Sequence, residues 1–141
     1  MRRNADLSMA LLCGAIAALA GAVAAIGVFA RGDGSVATVT SVRGVSFEMV
    51  TTGVYAYNGQ RLVAEGVGWN VFTLVIAVPA RLVGAWLVAR GWFEGRLFAM
   101  GVLGYLRYQY LEYAVAWAFG PLFLPFVALY GASLVALVGT G

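Results

Sequence analysis

Residues 97–119 read Leu-Phe-Ala-Met-Gly-Val-Leu-Gly-Tyr-Leu-Arg-Tyr-Gln-Tyr-Leu-Glu-Tyr-Ala-Val-Ala-Trp-Ala-Phe. The stretch is long enough to cross a bilayer as a helix, which takes about 20 residues. Its second half nevertheless carries Arg107, Gln109, Glu112 and the phenols of Tyr105, Tyr108, Tyr110 and Tyr113. A charge at membrane depth costs at least about 2.5–3.5 kcal/mol unless something answers it. Other segments of the chain must therefore enclose this one.

Composition agrees with a membrane setting. Of 141 residues 62% are hydrophobic and 11% charged, and the mean hydropathy is +0.89. Soluble domains are nearer half apolar and one quarter charged. All nine basic residues are arginine, set against six acids. That balance is too small and too dispersed for nucleic acid. With no histidine there is no imidazole base and no His-ligated metal or haem. With no lysine there is no Schiff base. The single Cys13 excludes an internal disulfide and reads as a small buried thiol in an apolar helix. No cofactor, metal or catalytic residue is expected.

Four spans are predicted: 7–30, 69–89, 97–119 and 122–138. Leu7–Ala30 is uncharged over 24 residues. It is too long for a typical signal-peptide core, so a retained span is expected. Gly14, Ala18, Gly21, Ala22 and Ala25 form a small-residue stripe at helical spacing, suited to helix packing within the chain or between copies. The second span holds Pro79 and Arg81. The proline frees the carbonyl at Val75 and bends the helix. Small neighbours of Arg81, among them Gly84, turn that face toward another helix. The short connection 90–96 makes the second and third spans adjacent.

Residues 31–68 are the one substantial polar segment. Val36–Val42 and Phe47–Thr52 suit strands. Asn58-Gly59, between Val54–Tyr57 and Gln60–Val63, is a strong hairpin signal. A small β-structured extracytoplasmic cap follows. Arg2, Arg3, Arg90 and Arg96 flank one side and Arg31, Arg43 and Arg61 the other. The positive-inside rule then places both termini in the cytoplasm and the β-structured cap outside. Trp69 and Trp117 would mark the outer interface and Trp92 the inner one.

At a rise of about 1.5 Å per residue, Arg81 and Arg107 are nearly level, with Glu112 farther out. Side chains lean toward their helix N-terminus, so Arg81 and Glu112 lean together. An Arg81–Glu112 contact is expected, direct or through Tyr105 or Tyr108, with Gln109 on the same face. Arg107 has no evident partner. Three readings stand: internal polar contacts that hold helices in register, an anion or proton path using Arg81, Arg107 and Glu112, and a surface for a partner.

Several motifs resemble a group of uncharacterised bacterial multispan membrane proteins. They are Gly53-Val54-Tyr55-Ala56-Tyr57-Asn58, Val71-Phe72-Thr73-Leu74, Arg90-Gly91 with Gly95-Arg96-Leu97, the four third-span tyrosines, and Pro121-Leu122-Phe123 leading to Tyr130. The resemblance covers more than half of the chain and implies a helical membrane protein with a tyrosine-rich third span. It carries no activity, and Arg81, Arg107 and Glu112 depart from its pattern. The expected architecture is an all-α integral membrane protein of four antiparallel helices with a hairpin-containing loop between the first two. The expected role is a non-enzymatic scaffold or subunit that contacts lipid and either its own copies or other membrane proteins. The alternative is a small ion channel or transporter.

Overall fold

The computed structural model describes residues 2–141, with side chains from Asn4 onward. The side chains of Arg2 and Arg3, on which part of the orientation argument rests, lie outside the described residues. The chain is mostly helical. Helix α1 spans Arg2–Phe29, α2 Gln60–Phe72, α3 Val78–Ala89, α4 Phe93–Ala116 and α5 Phe123–Thr140. Strands β1 (Val36–Thr40) and β2 (Ser46–Val50) pair antiparallel, with Val36 opposite Val50 and Thr40 opposite Ser46.

Helices α2 and α3 are one continuous helix over Gln60–Ala89. A π-helical segment, Thr73–Ala77, joins them. Its cause is Pro79, which has no N–H to donate back along the helix. The widened turn absorbs the defect, and the Val78 N–H reaches back five residues to the Thr73 carbonyl.

Helices Asn4–Phe29, Gln60–Ala89 and Phe123–Thr140 are long and apolar enough to cross a membrane. Helix α4 has 24 residues, which is length enough, but Glu94, Arg96, Arg107 and Glu112 make it too polar to qualify alone. It is covered by its neighbours: α3 and α5 pack against α4, and α1 packs against both α3 and α5. Leu103, Leu106, Tyr110, Phe126 and Leu129 fill the middle. Close approach is bought with glycine at two places. Gly95 lies under Leu87, and Gly66 lies under the Trp117 ring.

The buried face of α1 is Cys13, Ile16, Ala17, Ala20, Val23, Ala24 and Gly27. This spacing is the usual inward stripe of a helix. The small-residue stripe read from sequence lies beside that face. Gly14 has no atom near its would-be Cβ, Gly21 touches Val78, and Ala18 and Ala22 are exposed.

The strands match the expectation for 36–42 and 47–52, but the Asn58-Gly59 hairpin does not form. Tyr57, not Asn58, takes the positive φ, at 69°. Gly59 has a φ of −61° and opens α2, so Gln60–Val63 is the first helical turn rather than a strand. Asn58 is committed elsewhere. Its amide nitrogen donates to the Tyr55 carbonyl at 3.1 Å, and its Oδ1 accepts the Ala118 N–H at 2.8 Å. The second long helix therefore starts nine residues before the predicted span, and the loop is shorter.

Asp33 ties the entry of the cap to its exit. Its Oδ1 accepts from the Ser35 N–H, the Ser35 hydroxyl and the Thr52 hydroxyl, at 3.0, 2.7 and 2.6 Å. The Thr52 hydroxyl and the Ser35 donors draw its pKa down from 3.8 to about 2. A lowered folded-state pKa contributes stability above the unfolded value of 3.8, lost as pH falls through about 2. Hydrogen exchange at the Ser35 amide should therefore accelerate as pH drops across that window, beyond the intrinsic pH effect. Asp33→Asn should remove the extra dependence. Gly53 has a φ of +80°, and a methyl group there would collide with the Arg31 backbone. Gly53→Ala should lower stability by more than about 1 kcal/mol in thermal unfolding.

Candidate functional site

Polar side chains run through the helical core at several levels. Arg81 on α3 is fully buried, with 0% exposure. Its Nη1 donates to the Ala99 carbonyl of α4 at 3.3 Å, and the Cys13 thiol of α1 stands beside the guanidinium. The remaining donors, Nε and Nη2, have no partner among the described residues. Small residues make the room. Gly84 and Ala85 are buried on the same helix, and a Cβ on Gly84 would lie 3.4 Å from the Ala99 Cα.

The expected Arg81–Glu112 contact is not formed. Arg81 reaches Ala99, thirteen residues before Glu112 on α4 and about 20 Å away along the axis. The reach runs against the usual lean toward the helix N-terminus. A close α3–α4 crossing presents the Ala99 carbonyl there, and no carboxylate lies beside it. The described residues contain a single ion pair, between Arg96 and Asp6. It joins the start of α4 to α1, and sequence spacing gave no hint of it because the partners are ninety residues apart.

The other predicted residues scatter. Arg107 is half-buried, with its guanidinium 5.9 Å from the centre of the Tyr130 ring on α5. That cation–π contact is a partner the sequence did not suggest. Glu112 is half-buried, and Tyr108 is 68% exposed. Tyr105 shares a 3.2 Å hydrogen bond with Thr73 at the start of the π segment. Gln109 is buried, and its amide nitrogen lacks a partner. Arg81, Arg107 and Glu112 thus do not converge.

A second polar layer, nearer the cap, went unread in the sequence. Asn70 donates to the Tyr55 hydroxyl, and both are buried beside Gly27, whose missing side chain makes the space. The Tyr113 hydroxyl donates to the Gly66 carbonyl at 3.1 Å. Trp117 stacks obliquely on Tyr55 and edge-on to Tyr113, at 4.7 and 5.0 Å. Burial pushes the Tyr55 phenol up to about 12, against a smaller opposing effect from Asn70. A signal was present: Val63, Gly66, Asn70 and Thr73 recur at three- and four-residue spacing, the mark of an inward helical face.

Among the described residues, no three His, Cys, Asp or Glu side chains gather as for a metal ion. What the core offers chemically is hydrogen-bond donors in an apolar surround. Compared with known protein families, curated proteins and solved structures, the chain matches none.

Tyr55→Phe should leave the Asn70 amide buried without its partner. The expected cost is about 1–3 kcal/mol in equilibrium unfolding in detergent. The double variant Tyr55→Phe with Asn70→Leu should recover part of that loss.

Proposed function

We propose that the protein is a bacterial inner-membrane protein whose four helices cross the bilayer as an antiparallel bundle. Both termini are cytoplasmic and the β1–β2 hairpin is outside. Its role in this reading is that of a non-enzymatic scaffold or subunit that associates with its own copies or with other membrane helices. One observation carries the membrane assignment: polar side chains are enclosed within the helical core while large apolar side chains cover much of the outside. Arg81, Gln109, Asn70 and Thr73 are buried, while Leu11, Val75, Ile76, Leu82, Val115 and Leu124 are exposed. Water would favour the reverse, and a hydrocarbon surround favours this.

Association is supported by the outward part of the α1 stripe. Gly14, Ala18 and Ala22 fall on one side of the helix, with Ala18 and Ala22 exposed and Gly14 open. Small residues at four-residue spacing let a second helix approach closely, and packing is the main source of helix association in lipid. A second reading, an anion or proton path, is favoured by one feature only, the buried guanidinium of Arg81.

Light scattering of the purified protein in mild detergent should give a defined oligomer. Ala18→Leu combined with Ala22→Leu should convert it to the monomer without unfolding it. A monomeric wild-type particle would count against the subunit reading.

A further inference from the structure

We propose that Arg81 is the binding residue for a small oxyanion, entering from a cavity between the N-terminal part of α1 and the adjoining ends of α3, α4 and α5. The geometry of the guanidinium specifies the ligand class. Nη1 is taken by the Ala99 carbonyl, while Nε and Nη2 are buried with no oxygen or nitrogen partner among the described residues, the neighbouring Cys13 thiol being only a weak acceptor. Those two donors lie on the same edge of the planar group. They form the side-on fork that binds two oxygens of one carboxylate or phosphate group. No carboxylate among the described residues pairs with Arg81, since the one ion pair is Arg96–Asp6. The fork matches an anion that comes from outside the chain.

The approach is equally specific. A cavity of about 500 Å³ is lined by Asp6, Met9, Val88, Arg96 and Thr140, among others. Ala99, which holds Nη1, is three residues from Arg96 along α4, about 4.5 Å. Cys13, beside the guanidinium, is one turn from Met9 along α1. The head group of Arg81 therefore sits about one turn behind the cavity wall. At the mouth, the Asp6 carboxylate is neutralised by Arg96, so it does not bar an anion. Met9 is the flexible element of the wall, and its unbranched thioether chain repacks readily. The proposal concerns binding and holds whether or not the anion crosses the membrane.

The test is thermal unfolding of the full chain in neutral detergent at constant ionic strength, with sodium formate or sodium phosphate replacing sodium chloride, whose anion offers no pair of oxygens to the fork. The wild-type midpoint should rise saturably with formate or phosphate. Arg81→Gln removes the fork, and Arg81→Lys keeps the charge without it. Both should abolish the rise. Should either fail to fold, Met9→Trp, which fills the cavity and leaves Arg81 in place, should abolish or sharply weaken it. An anionic lipid phosphate presents the same chemistry. If it is the natural occupant, phosphatidylglycerol will stabilise the wild type over phosphatidylcholine and compete with formate. A free anion instead acts equally in both lipids. No saturable rise in the wild type, or an equal rise in the Arg81 variants, would overturn the proposal.

Discussion

A guanidinium with no exposed surface is the constraint on which this structure turns. Removing such a charge from water costs several kcal/mol of order even after relaxation. The cost is tolerable only where neighbouring groups are fixed around it. Here the fixing is done by small residues. Gly84 and Ala85 let α4 come close enough to offer the Ala99 carbonyl, and α1 brings Cys13 to the other side. The tight crossing of α3 and α4, continued at Gly95 under Leu87, exists where the buried charge needs a backbone oxygen within reach. The site and the packing are one feature.

A similar logic operates at the opposite end, with neutral groups. The loop between β2 and α2 does more than close the bundle. Tyr55 inserts its phenol to meet Asn70 between α1 and α2, and Asn58 reaches across to the backbone just beyond α4. Trp117 then packs over both Tyr55 and Tyr113. Between the two polar layers lies the π segment. Pro79 imposes it, and the Thr73 hydroxyl it carries is used by Tyr105. A backbone irregularity is turned into a place where polar groups meet inside an apolar body.

The number of long helices, the polar anomaly of α4 and the two strands of the cap were legible in the sequence. Each depends on local pattern: uninterrupted apolar runs, charges set against them, and Val/Thr-rich alternation. What escaped was decided by tertiary partners. Asn58-Gly59 has the composition of a hairpin turn, but the Asn58 side chain is worth more bridging Tyr55 and Ala118 than taking a left-handed conformation. Arg81 and Glu112 lean toward one another on ideal helices. A carbonyl exposed by two small residues is a nearer acceptor, and its presence depends on a crossing distance that spacing does not encode. Arg107 found a ring on α5 for the same kind of reason.

The central claim is that α1, α3 and α4 close around Arg81 and leave its guanidinium no exposed surface. Cys13 is the sole thiol in the chain and is fully buried beside that guanidinium. The time course of its modification by a bulky water-soluble maleimide, on the wild-type protein in mild detergent, reports directly on that closure. The account predicts no modification of the folded protein and complete modification after denaturation. Rapid stoichiometric labelling of the folded protein would contradict it.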